Sequence, residues 1–326
     1  MGEHLLEIEN LHVQYNTDEA VVNALNGLTL TLDKGESLGV VGETGAGKST
    51  MALSILKLLP AKVGEITKGS ITYDGTDIIA ADNHTMRGIR GARIAMIFQD
   101  PMTSLDPIMT VGDQIYEVLE LHFPQMNQAE KNQRVDEILE LVGIQKSRRN
   151  EYPHKFSGGM KQRIGIAMAL VAEPELLLAD EPTTALDVTI QAQILHLMRE
   201  LQKKYNTAMI LITHDLGVVA EFCENVVVVY AGEVIEQGSV EEVFTREKNH
   251  PYTEGLFNSI PDLTTDVDRL IPIPGFMTDP TNLPKGCKFA SRCSYCTDIC
   301  RTEAPPMFAE GTHSIKCFLF QQKGGE

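Results

Sequence analysis

No uninterrupted apolar run in the 326 residues approaches the 18 that a membrane-crossing helix needs, so the sequence predicts no such helix. Its beginning lacks the basic, apolar and small-residue regions of a secretory leader, and a cytosolic chain is expected. Basic residues are few: 28 Lys and Arg stand against 45 Asp and Glu, a formal charge of −17. Phosphate backbones need a basic surface, so this balance argues against nucleic acid as a partner. Any anionic ligand must be held by local groups rather than by the field of the whole chain. Internal repeats and low-complexity segments are missing as well. Cysteine is scarce before residue 287, where Cys223, expected in a helix as a core thiol, stands alone. Hydrophobic residues, at 43%, are plentiful enough over this length to bury a large core in two or three subdomains.

Gly42-Glu43-Thr44-Gly45-Ala46-Gly47-Lys48-Ser49 fits G-x-x-x-x-G-K-S between a strand-like run, Leu38 to Val41, and a helix-like run, Thr50 to Leu59. Glycines let successive N–H groups converge on phosphate oxygens, and the helix N-terminus adds partial positive charge. Lys48 then reaches the outer phosphates of ATP, Ser49 binds Mg²⁺, and Thr50 completes the nucleotide-binding set. A second apolar run, from Leu176, ends in Asp180 and Glu181, as a buried parallel strand presents acids at its C-terminal edge. Asp180 is expected to hold Mg²⁺ through water, and Glu181 to be the general base that polarises the attacking water. Gln99 follows the run Ile94 to Phe98, from where its amide can touch Mg²⁺ and that water. His214 ends the strand-like Ala208 to Thr213 and precedes Asp215, so its imidazole is expected over the γ-phosphate with its second nitrogen oriented by a neighbour. Ser157, Gly158 and Gly159 open a helix expected over Gly159 to Val171, whose end supplies another anion site. Tyr15, at a strand end, is a candidate to stack on adenine.

Together with Phe156-Ser157-Gly158-Gly159-Met160-Lys161-Gln162-Arg163, these stretches resemble the ABC ATPases. The resemblance implies that Gln99 is the Q-loop glutamine, Asp187 the D-loop aspartate, His214 the switch histidine and Tyr15 the adenine-stacking aromatic. It also implies that Ser157 to Gly159 serve the ATP held by the phosphate loop of a partner cassette, with two nucleotides sandwiched between two cassettes. This chain departs from the usual Leu-Ser-Gly-Gly-Gln at Phe156 and Met160, and Met160 cannot supply the hydrogen bonds of an amide.

The run from Gln99 to Pro107, His250-Pro251-Tyr252-Thr253 and the cysteine-bearing end narrow the resemblance to ATP-binding subunits of dipeptide and oligopeptide ABC importers. An α/β fold is implied: a P-loop NTPase cassette with a RecA-like parallel sheet core, an antiparallel β subdomain, an inserted helical subdomain and an irregular cysteine-rich metal-binding extension. So is an ATP-hydrolysing motor at the cytoplasmic face of the cell membrane. Its implied partners are a second, homologous cassette, two transmembrane permease subunits and an extracytoplasmic peptide-binding protein. A nickel or other small-solute importer of the same family, and a soluble ABC ATPase, stay open as alternatives. The single phosphate loop and the acidic balance oppose the soluble reading.

Helical periodicity marks Thr110 to Phe123 and Asn127 to Val142, the second placing Val135, Ile138, Leu139 and Val142 on one face. A helical subdomain is expected at about 100–170, with further helices over Val188 to Lys204 and Leu216 to Phe222. The cassette is taken as 1–259 and the extension as 260–326. Pro261, Pro272, Pro274, Pro280 and Pro284 make 260–285 read as an irregular connector. Cys287, Cys293, Cys296, Cys300 and Cys317 follow, and in a cytosolic chain such clustering suits a metal better than disulfides. Any four of the five can close a tetrahedral site, zinc accepts the same sulfurs, and a cluster of thiols that holds no metal stays open. The importer resemblance implies a [4Fe-4S] cluster on Cys287, Cys293, Cys300 and Cys317, with Cys296 an extra thiol. An iron–sulfur sensor with a regulatory ATP site is a third reading.

Overall fold

The structure, a computed structural model, describes residues 4–100, 103–183, 186–245, 248–259 and 272–321. Residues 260–271, expected within the connector, and Pro101 and Met102 of the Gln99 to Pro107 segment lie outside the described residues. In chain order come β1 (Leu6–Asn16), β2 (Val21–Leu32), β3 (Ser37–Val41), α1 (Lys48–Ile55), β4 (Gly64–Tyr73), β5 (Thr76–Asp77), α2 (Asn83–Ile89) and β6 (Ile94–Ile97). There follow α3 (Val111–His122), α4 (Gln128–Leu141), α5 (Gly158–Leu170), β7 (Leu176–Asp180), α6 (Val188–Tyr205), β8 (Ala208–Thr213) and α7 (Leu216–Phe222). The last are β9 (Asn225–Tyr230), β10 (Glu233–Ser239), α8 (Val240–Phe244), α9 (Pro251–Asn258), α10 (Asp298–Thr302), β11 (Phe308–Glu310) and β12 (His313–Ile315). The chain divides into two compact units, one of Met1–Leu5, Leu32–Ser37 and Ala80–Ile212, the other of Leu6–Thr31, Leu38–Ile79 and Thr213–Glu326.

In the first unit β6, β7 and β8 run parallel, with Ile94 opposite Leu176 and Leu176 opposite Ala208. Every residue of β7 and β8 is buried, which explains why their sequences are continuous apolar runs rather than alternations. Helices α3, α4 and α5 pack on one another, within the stretch expected to be helical. Val135, Ile138, Leu139 and Val142 are buried as the periodicity required. Each such side chain contributes about 1.5–3 kcal/mol by leaving water. The helices start one residue later than their sequence pattern because the first polar residue is a cap: Thr110 accepts from the Asp113 N–H and Asn127 from the Glu130 N–H.

The second unit holds an antiparallel sheet in the order β2-β1-β4-β5, in which Leu6 pairs with Tyr73 and Tyr15 with Gly64. Its other strands begin with β3, which is parallel to β9, with Leu38 opposite Asn225. Antiparallel β10 adds to β9, β12 to β10, and β11 to β12. Here the structure corrects the expected irregular extension: residues beyond 300 supply two short strands to this sheet, and α10 carries Cys300. Three-residue strands are too short to show a pattern in sequence. Among the described residues no helix is long and apolar enough to cross a membrane.

Candidate functional site

Buried β3 delivers the chain to the Gly42–Ser49 loop, and α1 leaves it at Lys48 rather than at Thr50 as the sequence suggested. Gly47 is the N-cap at φ 102°, where an added Cβ would lie 2.6 Å from the Ala24 carbonyl oxygen, so only glycine fits. No side chain caps α1 and no acid stands in its first turn, leaving the N–H end of the helix facing the loop. Lys48 is 6% exposed, and its Nζ donates to the carbonyl oxygens of Gly42 at 2.7 Å and Glu43 at 3.0 Å. The helix stops at Ile55 because Lys57 adopts φ 51°. Tyr15, near the end of β1, shares a hydrogen bond of 3.1 Å with Thr50 Oγ1, which seats its ring beside α1. Ser49, Thr44, Gly45 and Ala46 complete the loop in sequence order.

In the first unit β7 ends at buried Asp180, and Glu181 turns out of the strand at φ 46°. A side chain in that left-handed region costs about 1–2 kcal/mol. The turn is pinned by the Glu181 N–H, which donates to Ile212 O at 2.8 Å. Gln99 Nε2 donates to Glu181 Oε2 at 2.8 Å, so the glutamine and the acid expected to share the water are brought together. His214 is exposed at the end of β8, in the other unit. The next residue, Asp215, accepts the Gly217 and Val218 N–H groups as the cap of α7. Cys223, expected within that helix, is the buried residue just past its end.

Ser157 caps α5, its hydroxyl accepting the Met160 N–H, so the helix begins at Gly158, one residue before the expected start. Asp187 caps α6 through the Ile190 N–H, and Ile190 Cγ2 would meet a Cβ on Gly159 at 2.7 Å. Sequence reasoning saw Met160 only as a lost amide. Arg148 gives both unusual residues a partner: its guanidinium carbon lies 4.2 Å from the Phe156 ring centre and its Nη1 donates to Met160 Sδ at 3.7 Å. Glu151 fixes that guanidinium at 2.7 Å. No motif marks Arg148; the departure at both Phe156 and Met160 is the one signal that could have pointed to a local partner.

The C-terminal segment forms a cavity of about 220 Å³ whose lining includes Cys287, Cys293, Cys300 and Cys317 with His250 and Phe289. Cys296 is not among its lining residues, and its thiol lies 3.6 Å from Thr297 O. The Cys287 N–H donates to Cys300 O at 2.8 Å, and a Cβ on Gly286 would meet that same oxygen at 2.3 Å, so glycine permits the approach. Burial pushes Cys287 and Cys317 up to about 11 and raises Cys293, so these thiols are protonated at neutral pH unless a cation displaces the proton. None of the six cysteines forms a disulfide. Among the described residues no three His, Cys, Asp or Glu side chains converge as a single ion would require.

Residues 25–184 match the family described as ABC transporter, and residues 235–300 that described as Oligopeptide/dipeptide transporter, C-terminal region. The oligopeptide transport ATP-binding protein OppD of Bacillus subtilis is 50% identical over 97% of this chain and 88% of its own length. The dipeptide transport ATP-binding protein DppD of Lactococcus lactis is 47% identical over 98% of this chain and 92% of its own. Among solved structures, the dimeric post-hydrolysis cassette MJ0796 bound to ADP and Pi superposes with a TM-score of 0.65 at 28% identity, covering 72% of this chain and 98% of that one. CbiO1 of Clostridium perfringens, part of the transporter complex cbiONQ, gives 0.64 at 31% identity over 76% of this chain and 92% of its own. With a phosphate loop, a carboxylate pair and two matched family regions in one chain, this protein belongs to the ATP-hydrolysing cassettes of the ABC transporter family, in the oligopeptide/dipeptide transporter group.

Proposed function

We propose that the chain is the motor subunit of an importer of di- or oligopeptides, working at the cytoplasmic face of the membrane with a second cassette, two permease subunits and an extracytoplasmic peptide-binding protein. The observation that carries this is the match of residues 235–300 to the oligopeptide/dipeptide C-terminal region, beyond the cassette common to all ABC transporters. Lys48 exchanges its two loop carbonyls for the outer phosphates of ATP, and the N–H end of α1 holds the inner ones. Ser49 and Asp180, with Gln99, would hold Mg²⁺, which neutralises charge developing on the phosphate oxygens. Glu181 takes the proton of the attacking water, and Gln99 orients the carboxylate that does so. His214 faces the γ-phosphate. Ser157 and the N–H groups of Gly158 and Gly159 serve the nucleotide of the companion cassette, and Asp187 lies at that junction. Tyr15 stacks on adenine. Uptake by the assembled complex in proteoliposomes tests the substrate: labelled di-, tri- and longer peptides are expected to accumulate with ATP. Accumulation of nickel and not of peptide would replace this reading with the small-solute one.

We propose that Cys287, Cys293, Cys300 and Cys317, which line one cavity, hold a [4Fe-4S] cluster, with zinc on the same sulfurs as the alternative. A cluster bound there would tie the chain at four positions where a reducing compartment forbids disulfides. Protein purified without oxygen is expected to be brown with about four irons per chain. A colourless sample with one zinc per chain contradicts that.

A further inference from the structure

Glu43, the second residue of the phosphate loop, is gripped by a segment far from it in sequence. Arg292 donates from Nη1 to Glu43 Oε2 at 2.6 Å and from Nη2 to Oε1 at 3.0 Å, across 249 residues. The Arg292 side chain is 3% exposed and that of Glu43 30%. Arg292 is itself fixed: Nε donates to Pro274 O at 2.9 Å, and the guanidinium carbon lies 5.8 Å from the ring centres of both Tyr230 and Phe289. The Glu43 N–H donates to the hydroxyl of Tyr252 at 2.8 Å, and Tyr252 packs edge-on against Tyr230 and Phe289. The Glu43 carbonyl is the one that Lys48 Nζ touches at 3.0 Å. Two of the three polar groups of Glu43 are thus held by the C-terminal half of the second unit, and the third by the lysine that the triphosphate needs.

A carboxylate on the same residue as that carbonyl is a competitor for the Lys48 ammonium. A bidentate guanidinium is the arrangement that keeps a carboxylate oriented elsewhere. We propose that Arg292 is a positioning residue for ATP binding: it turns the Glu43 carboxylate away so that it does not compete with the triphosphate for Lys48. The inference rests on the reading of Gly42–Ser49 as the phosphate loop. Arg292 precedes Cys293 in the chain, and Phe289 lines the cysteine cavity, so the extension governs nucleotide affinity through this pair.

The test uses the full chain and titrates a fluorescent ATP analogue with Mg²⁺, alongside KM and kcat of the assembled transporter. Arg292→Gln is expected to weaken nucleotide binding about tenfold and raise KM alike, leaving kcat at saturating ATP within about twofold, since uniform binding is lost and not transition-state stabilisation. Adding Glu43→Gln to it removes the competing carboxylate and is expected to recover most of the affinity. Arg292→Lys, which keeps the charge but not the fork, falls between. A thermal melt on each variant separates unfolding from weakened binding, and Tyr252→Phe gives a milder second variant that loses one hydroxyl. Unchanged affinity in a folded Arg292→Gln, or a double variant as weak as the single one, overturns the proposal. A wild-type chain that binds no nucleotide overturns the phosphate-loop reading instead.

Discussion

Glu181 combines a strained backbone and a hydrogen bond from Gln99 with the proposed role of general base. Glu181→Gln keeps the shape and loses the proton acceptor, so ATP turnover is expected to fall by roughly 10²–10⁴ while ATP binding persists. Retained turnover in that variant would remove Glu181 from the role. At this scale the sequence was legible where chemistry is written in a contiguous motif. Gly42 to Ser49 needed no partner to be recognised, and Asp180-Glu181 became legible once that loop stood in the same chain. Arg292 and Arg148 were illegible because an arginine acquires its meaning from what it meets. Arg292 meets Glu43 across the length of the chain, and Arg148 meets a methionine sulfur that no rule assigns it. The His250-Pro251-Tyr252-Thr253 stretch was visible as a family mark, but its physical content was hidden. His250 caps α9, Pro251 opens it, and Tyr252 reaches the phosphate loop.

Caps divide the helices into those built for stability and those built for a ligand. Asn127 and Ser157 both accept an N–H at the start of a helix. Asn127→Ala is expected to cost about 0.5–2 kcal/mol of stability, read as a lower melting temperature, with ATPase activity intact. Ser157→Ala, with a similar structural cost, is expected to lose ATPase activity in the assembled complex as well, if its hydroxyl serves a phosphate as proposed. Equal activity in the two variants would reduce Ser157 to a cap. The elements were legible as far as they were long and amphipathic or long and apolar: α3, α4, β7 and β8 each repeat their signal several times. Boundaries moved by a residue or two where a cap resembles a first helical residue. The strands β11 and β12 stayed hidden, since their three residues each are too few to show a pattern and the pairing of β12 with β10 is decided by residues distant in the chain.

For the molecule as a whole, stability is tied to acidity through His250, whose imidazole burial pushes down to about 3 and whose backbone N–H donates to the Glu236 carboxylate. The unfolded chain takes up that proton near pH 6.5 and the folded chain does not, so stability is complete above about 6.5 and falls as pH drops toward 3. The slope reaches about 1.4 kcal/mol per pH unit. Denaturation midpoints of wild type and His250→Asn at pH 7 and pH 5 are expected to show the larger acid loss in wild type. Equal losses would assign the acid sensitivity elsewhere.

A chain carrying one phosphate loop and one signature cap, matched to a cassette seen as a dimer, is expected to hydrolyse ATP only when two cassettes meet. The direct measurement is ATP hydrolysis per chain, with its companion cassette, as concentration rises through the range where sedimentation reports association. Turnover is expected to climb with the paired fraction and to collapse in Ser157→Ala. Full-speed hydrolysis by a strictly monomeric preparation, unaffected by Ser157→Ala, would contradict it.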